Sequence, residues 1–346
     1  MSREAYYAKV AATGELSPLW TTRLVPPLPK DQVKAVPHLW DYDGTVRALL
    51  LEAGPLITAQ EAQRRVLTLE NPGLDGTHRI LESLYAGLQL ILPGEVAPAH
   101  RHSPSALRFI IEGNGAYTAV AGEKSVMKPG DFIITPSMTW HDHGHEGDGP
   151  VVWMDGLDIP MLGLFGAMFF ETYPGAARHP VRRPPGDSLA RYGANMRPVN
   201  ESWEKPESPI FSYPYERSRD ALDVLRRDNE WDPAGGLKLE YIDPTRGGSA
   251  MPTISTFLQL LPKGFAGERY RTTENTVCAV VEGKGRVVIG EGSDEKEIRF
   301  KPRDIFALPC WMPHRFEASE DATLFSFSDR VAQQNLGVWR EMRGNA

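Results

Sequence analysis

The stretch Gly94–His102 reads GEVAPAHRH, and the later stretch Pro136–His141 reads PSMTWH. One residue separates His100 from His102, and side chains at this spacing share a face only on a β-strand, where successive side chains alternate. If His141 enters the same cavity from another strand, the three imidazoles form a facial set of nitrogen ligands. Such a set suits a first-row transition metal that keeps free coordination positions. The sequence therefore predicts a β fold that carries a metal site.

The bulk composition is that of an ordinary globular protein: 41% of the 346 residues are hydrophobic and 24% are charged. The net charge of −7 argues against a nucleic-acid-binding surface. The most apolar run, Ile159–Phe170, is too short to cross a membrane. The two cysteines, Cys278 and Cys310, cannot form a disulfide framework, and the N-terminus lacks an apolar leader. We therefore expect a cytoplasmic protein.

Short apolar segments separated by glycine and proline recur along the chain, which is typical of a β-sandwich or small barrel. The strands predicted in the first half are Leu88–Leu92, Leu107–Ile111, Ala116–Val120, Phe132–Thr135 and Val151–Met154.

Four landmarks of the first half recur in the same order in the second half. The matched pairs are Leu92–Gly94 with Leu261–Gly264, Glu112–Gly115 with Glu282–Gly285, Lys128–Ile133 with Lys301–Phe306, and the prolines five residues before His141 and His314. This order favours internal duplication of a β-barrel unit.

The repeat suggests a division of the chain into five parts. We expect an N-terminal extension over 1–75 and a first barrel with the metal site over 76–160. A helical, proline-rich connector over 161–235 leads to a second barrel over 236–330. Helical spacing predicts one helix at Glu216–Asp228 in the connector and another over Val331–Arg343, within a C-terminal helical segment at 331–346.

The spacing of the histidines, glycines and prolines resembles the two motifs of the cupin superfamily, and the paired units resemble a bicupin. The resemblance implies a mainly β fold of two double-stranded β-helix, or jelly-roll, barrels. The usual first cupin motif places a glutamate ligand four or five residues after the second histidine; here Ala106 and Leu107 occupy those positions and Arg108 follows. Three neutral imidazoles leave Fe(II) more positive than two imidazoles and a carboxylate, so an anionic chelating substrate is favoured.

Among bicupins, the chain is similar to the gentisate 1,2-dioxygenases and their relatives that act on salicylate or 1-hydroxy-2-naphthoate. The segments that carry this resemblance are Ala35–Trp40, Leu69–Leu74, Pro98–Ser103, Trp153–Pro160 and Gly247–Thr253. The resemblance implies an Fe(II)-dependent enzyme of aromatic-compound catabolism, which cleaves gentisate between C1 and C2 with O2 to give maleylpyruvate. Its partners would be a small aromatic acid and O2, with neither nucleic acid nor membrane, and it would form a homo-oligomer, a tetramer.

The resemblance further implies roles for single residues. His100, His102 and His141 match the iron ligands of the family. The positions that match its substrate pocket are Arg64, Gln89, Arg108, His143 and Asp155.

Three of these pocket residues are expected to act in catalysis. Arg108, helped by Arg64, would hold the substrate carboxylate through charge-assisted hydrogen bonds. His143, oriented by Asp155, would hydrogen-bond a ring hydroxyl and promote electron donation from the ring. His143 stands two residues after His141 on the same alternating face, so a fourth ligand is the alternative for it.

Two further points stay open. Helical periodicity would place Arg65 rather than Arg64 on an inner face, whereas the resemblance favours Arg64. In the second barrel only His314 remains of the histidine set, so we expect this barrel to be structural. A metal cluster of His314 with Cys278 and Cys310 is the less favoured alternative.

Two other functions compete with gentisate cleavage. The first is the same ring cleavage on salicylate or 1-hydroxy-2-naphthoate. The second is a non-redox, metal-dependent isomerase or decarboxylase, although such cupins usually retain the glutamate ligand that is absent here. A non-catalytic cupin that binds an aromatic acid would not need three metal ligands.

Overall fold

The computed structural model describes residues 1–21, 24, 28–62, 64–175 and 177–344. Residues 1–33 form one unit and residues 34–346 form a second. In the first unit, α1 (Arg3–Ala11) begins after Ser2, whose hydroxyl oxygen accepts a hydrogen bond of 3.1 Å from the Ala5 amide. This contact is an N-cap, which satisfies one of the free amides of the first turn.

The second unit is mainly β, as predicted. Its strands are β1 (His38–Trp40), β2 (Arg65–Thr68), β3 (Tyr85–Ile91), β4 (Val96–His102), β5 (Ala106–Glu112), β6 (Ala116–Val120), β7 (Glu123–Val126), β8 (Phe132–Thr135), β9 (His141–His145), β10 (Val151–Leu157), β11 (Phe170–Thr172), β12 (Ser212–Tyr213), β13 (Leu237–Glu240), β14 (Ser255–Leu261), β15 (Tyr270–Thr272), β16 (Thr276–Glu282), β17 (Gly285–Ile289), β18 (Lys296–Phe300), β19 (Ile305–Leu308), β20 (His314–Ala318), β21 (Ala322–Ser328) and β22 (Glu341–Arg343). Its helices are α2 (Arg47–Leu56), α3 (Ala59–Ala62), α4 (Ile159–Leu164), α5 (Asp187–Tyr192), α6 (Tyr215–Arg226) and α7 (Arg330–Asn335).

Two pairs of antiparallel sheets build two barrels. The first barrel combines a six-stranded sheet in the order β12-β8-β5-β10-β3-β2 with a five-stranded sheet in the order β11-β4-β9-β6-β7. The second barrel combines β1-β19-β16-β21-β14-β13 with β18-β17-β20-β15-β22. The run β8-β5-β10-β3-β2 is repeated as β19-β16-β21-β14-β13, which confirms the predicted duplication.

The barrels pack against each other through aromatic side chains. On β5, alternation directs Arg108 and Phe109 to opposite faces of the sheet. The Phe109 ring stacks on Phe325 of the second barrel, with centroids 4.1 Å apart. Gly156 on the neighbouring β10 leaves room for Phe327, whose ring would lie 2.9 Å from a Cβ at that position. The inner face of β5 is thereby left for the site.

Three short strands from the predicted N-terminal extension and connector add to the edges of the barrel sheets. β1 pairs with β19 of the second barrel, β2 pairs with β3 of the first, and β12 of the connector pairs with β8. The five-part division of the chain stays a prediction.

The predicted connector helix is confirmed, since α6 spans Tyr215–Arg226. Within the described ranges, no helix is long and apolar enough to cross a membrane.

The predicted C-terminal helix is wrong in its extent. α7 ends at Asn335, and Gly337 follows with a φ of +72°, a left-handed conformation that ends helices. The chain then forms β22, which pairs with β15, Tyr270 lying opposite Arg343. This segment forms a strand because it hydrogen-bonds to the free edge of a sheet. The spacing of apolar residues along the chain does not reveal such a partner.

Candidate metal centre and substrate cavity

Three histidines meet inside the first barrel. β4 carries His100 and His102, and its antiparallel neighbour β9 places His141 opposite His100. The ring centroids of His100 and His141 lie 4.2 Å apart, and those of His102 and His141 lie 4.9 Å apart. All three side chains are buried, and one potential ligand atom of each lies within 4.8 Å of the others.

Backbone carbonyls determine which nitrogen of each ring is free. Nδ1 of His100 lies 2.8 Å from the Pro98 carbonyl, and Nδ1 of His102 lies 2.7 Å from that of Pro104. Nδ1 of His141 lies 2.8 Å from the carbonyl of Thr139. A carbonyl only accepts hydrogen bonds, so each Nδ1 carries the proton and each Nε2 keeps its lone pair.

The three Nε2 atoms suit a divalent transition metal. Each is buried without a hydrogen-bond partner, a costly state that a metal ion would relieve. Burial lowers the pKa of His100 to about 3 and that of His102 to about 4, so both rings are neutral at neutral pH. Neutral imidazoles whose second nitrogen is held by a carbonyl are the form that binds metals. The donor set therefore fits a metal cofactor.

A buried ion pair lies beside the histidines. The guanidinium of Arg108, 2% exposed, has its Nε 3.3 Å from Oδ1 of Asp155 and donates through Nη1 to Thr135. The same carboxylate oxygen accepts a 3.1 Å hydrogen bond from the indole of Trp153. Burial lowers the pKa of Arg108 to about 10, so the guanidinium is still charged at neutral pH.

A cavity of about 560 Å³ opens next to this pair. Its polar wall consists of Arg64, Tyr85, His102, Arg108 and Asp155. Its apolar wall consists mainly of Leu157, Ile159, Met168, Phe169 and Phe170. A mostly apolar cavity with convergent charged groups is suited to a small aromatic anion.

The structure brings most of the expected pocket residues together. Arg64, Arg108 and Asp155 line the cavity, whereas Gln89 borders a small adjoining cleft with Arg64. His143 is fully buried and is not part of the cavity lining; its ring centroid lies 5.6 Å from that of His141. Its Nε2 has no hydrogen-bond partner.

Two side-chain contacts refine the sequence expectations. Arg65 forms an ion pair with Glu95 and donates from Nε to the Ile57 carbonyl at 2.6 Å, so its guanidinium is occupied and Arg64 takes the cavity. The expectation that Asp155 orients His143 is wrong. Nδ1 of His143 instead lies 2.9 Å from the hydroxyl of Thr118.

Sequence reasoning missed Tyr85 and the aromatic wall. Tyr85 could have been found, since it shares a strand face with Gln89 at even spacing. Phe170 stacks on His100 with centroids 5.4 Å apart, because β11 pairs with β4 and sets Phe170 opposite His102. The apolar run Ile159–Phe170 gave no sign that its last residues leave the helix for a strand.

Comparison with known proteins agrees with this geometry. Residues 87–159 match the family model described as Cupin domain. Over 99% of its length the chain is 54% identical to gentisate 1,2 dioxygenase 1 from Aquipseudomonas alcaligenes, of which it covers 96%. The chain belongs to the gentisate 1,2-dioxygenase family. The resemblance inferred from the sequence is thereby confirmed.

Two other members or relatives of the gentisate 1,2-dioxygenase family carry different names. A 1-hydroxy-2-naphthoate 1,2-dioxygenase from Nocardioides sp. (strain KP7) is 36% identical, with 88% of this chain and 78% of that protein covered. A crystal structure of salicylate 1,2-dioxygenase from Pseudoaminobacter salicylatoxidans, described as adducts with gentisate, superposes with a TM-score of 0.90 at 31% identity, covering 99% and 94% of the two chains. The bicupin fold is therefore also confirmed.

The second barrel of this dioxygenase-family chain lacks the ligand set. Tyr270 and Thr272 stand on β15 where His100 and His102 stand on β4. Burial raises the pKa of the Cys278 thiol to about 12, so this cysteine is a protonated, poor ligand. In the part of the chain that the structure describes, His100, His102 and His141 are the one group of three potential metal ligands.

Proposed function

We propose that the protein is an Fe(II)-dependent gentisate 1,2-dioxygenase, which cleaves the ring of 2,5-dihydroxybenzoate between C1 and C2 and incorporates both atoms of O2 to give maleylpyruvate. The observation that carries the proposal is the set of three unpartnered Nε2 atoms beside the buried guanidinium of Arg108. We place this reaction in the cytoplasmic catabolism of aromatic compounds and expect the enzyme to be a tetramer.

The metal would be held by His100, His102 and His141. When bound there, Fe(II) supplies free coordination positions for the substrate's oxygens and for O2, and a path for electrons between them. The three neutral ligands leave the full positive charge of the ion facing the cavity. That charge favours a substrate that presents both a carboxylate and a phenolate oxygen.

The substrate carboxylate would be bound by Arg108 and Arg64. Both guanidinium groups line the cavity, and Asp155 holds the Arg108 side chain in place through Nε. A charge-assisted hydrogen bond in a buried site contributes about 1.5–3 kcal/mol. Gln89, which borders the cleft next to Arg64, would help to position that guanidinium.

His143 would accept a hydrogen bond from a ring hydroxyl of the substrate. If the hydroxyl of Thr118 donates to Sδ of Met127, 3.3 Å away, its oxygen accepts from Nδ1 of His143, 2.9 Å away. Nε2 is then the nitrogen with a free lone pair, able to accept a hydrogen bond from a phenolic hydroxyl, while burial lowers the pKa of His143 and keeps the ring neutral. Meanwhile the apolar wall formed by Phe169, Phe170 and Met168 would cover the ring and exclude water.

Oxygen uptake by the anaerobically purified, iron-loaded enzyme tests the function. We expect kcat/KM for gentisate to exceed that for salicylate and 1-hydroxy-2-naphthoate by at least about 10-fold, about 1.4 kcal/mol in transition-state binding. The ring-opened product is detected by ultraviolet absorption and mass spectrometry. Equal kcat/KM values for gentisate and salicylate would contradict the substrate assignment and support the salicylate alternative. Turnover that persists without O2 would instead support a non-redox reaction.

The metal assignment has its own test. Metal analysis of the protein purified without O2 is expected to find iron close to one atom per chain. The proposed centre would be overturned if the protein binds no transition metal. It would also be overturned if the His141→Ala variant retains the metal.

A further inference from the structure

One buried carboxylate of the connector contacts both loops that support the histidines. Glu207 is 1% exposed, although it belongs to a segment outside both barrels. Its Oε1 accepts a 2.9 Å hydrogen bond from the hydroxyl of Ser105 and a 2.8 Å hydrogen bond from the amide of Ser137. A single oxygen atom thus joins the β4–β5 loop to the β8–β9 loop.

These two loops carry the carbonyls that orient two of the histidines. Pro104, whose carbonyl accepts from Nδ1 of His102, directly precedes Ser105. Thr139, whose carbonyl accepts from Nδ1 of His141, lies two residues after Ser137. A shift of either loop would therefore rotate a ring and move its Nε2.

The loop at Ser137 depends on such external support. Its next residue, Met138, has a φ of +51°, a left-handed conformation that side chains rarely adopt. The Met138 amide donates to the carbonyl of His102 at 2.8 Å, which couples the loop to β4. Lys205, two residues before Glu207, donates from Nζ to the Ser137 carbonyl at 3.2 Å and to the Thr139 hydroxyl.

We propose that Glu207 is a positioning residue of the metal centre, which fixes the distance between His102 and His141 by joining the loops behind them. The inference rests on the proposed metal site. Groups that hydrogen-bond directly to metal-binding histidines typically change metal affinity by about 10- to 100-fold when they are removed, and Glu207 acts one contact further out, so its effect is expected at the lower end of this range. Nothing in the sequence near the histidines points to this residue, because it is brought to them by the connector.

Titration of the metal-free protein with Co²⁺ tests the proposal without turnover. The dissociation constant is measured by calorimetry, and the visible absorption of bound Co²⁺ reports its coordination geometry. We expect Glu207→Ala to weaken Co²⁺ binding by about 10-fold and to change the spectrum. Glu207→Gln should stay close to the wild type, because its amide oxygen can still accept both hydrogen bonds.

Two further variants separate positioning from general stability. Glu204→Ala removes an exposed carboxylate from the same segment and should leave both readouts unchanged. Ser105→Ala deletes one of the two hydrogen bonds and should weaken Co²⁺ binding by several-fold; it decides the question if Glu207→Ala does not fold. The proposal would be overturned if Glu207→Ala binds Co²⁺ with wild-type affinity and spectrum. If Glu207→Ala does not fold, the same result in Ser105→Ala would overturn it. A wild type that binds no Co²⁺ would overturn the metal site itself.

Discussion

Ala106 and Arg108 mark where the site of this chain departs from the usual cupin motif. Ala106 lies in the cavity wall in place of a glutamate ligand, and Arg108 follows on the same strand face. The cavity therefore loses a negative charge next to the metal ligands and gains a positive one. That exchange makes the cavity a binding site for an anion, and Asp155 keeps the guanidinium from being an isolated buried charge.

Replacing Arg108 tests this role at a single residue. Arg108→Met should raise the KM for gentisate at least about 10-fold, because one charge-assisted contact is worth about 1.5–3 kcal/mol. It should also destabilise the protein by about 3 kcal/mol, because the Asp155 carboxylate is left buried without its partner. Steady-state kinetics and denaturant unfolding measure the two effects.

The double variant Arg108→Met/Asp155→Asn separates binding from stability. Removing the orphaned charge should restore most of the free energy of unfolding, whereas the KM should stay high. A double variant with a wild-type KM would show that Arg108 does not bind the substrate.

The residues of the site were predictable to different degrees. His100 and His102 could be placed on one face from spacing and strand alternation, which are local geometry, whereas His141 and Arg108 were placed by the resemblance to the cupin motifs and the dioxygenase family. The partner of His143 could not be placed, because Thr118 lies on β6 and meets β9 only through the register of the sheet.

Among the elements, strands were more predictable than connections. β6 (Ala116–Val120) and β8 (Phe132–Thr135) match the predicted bounds, because turn residues delimit each apolar segment. β11 and β22 could not be foreseen, since each is a short segment that becomes a strand only by pairing with the edge of a barrel sheet. The aromatic wall of the cavity depends on the first of these pairings.

The link between the start of α4 and the second barrel predicts a pH dependence of stability. Asp158, 1% exposed, precedes α4 and accepts a 2.6 Å hydrogen bond from the hydroxyl of Thr253. Burial raises the pKa of its carboxyl to about 6. The folded state therefore holds this proton more tightly than the unfolded state, and stability falls as the pH rises from about 4 to about 6, by about 3 kcal/mol from this group.

Asp158→Asn isolates this contribution. The amide has no proton to lose in this range and its oxygen can still accept from Thr253, so the variant should gain stability relative to the wild type as the pH rises from 4 to 6. Chemical unfolding at a series of pH values measures the free energy of unfolding of the variant and of the wild type. The contributions of other titrating groups cancel in the difference between the two. A difference that does not change with pH would show that the Asp158 carboxyl titrates normally.

At the scale of the whole molecule, duplication has left one barrel with the ligand set and one without it. The repeated sheet order was predictable from four landmarks, because each landmark is a turn that recurs in both units. The function of the second barrel as packing support was only partly predictable: Phe109 and Phe325 come from different barrels, and no local pattern pairs them.

The contact between the barrels predicts that the second barrel stabilises the first. Phe325→Ala removes a fully buried ring that stacks on Phe109, which follows Arg108 on β5, and also contacts Phe132 on the neighbouring β8. We expect the free energy of unfolding to fall by about 3–5 kcal/mol, the usual cost of a buried phenylalanine. Val199→Ala, at a position 97% exposed, should change it by less than about 0.5 kcal/mol. Denaturant unfolding measures both. A loss below about 1 kcal/mol in Phe325→Ala would mean that the barrels are held together elsewhere.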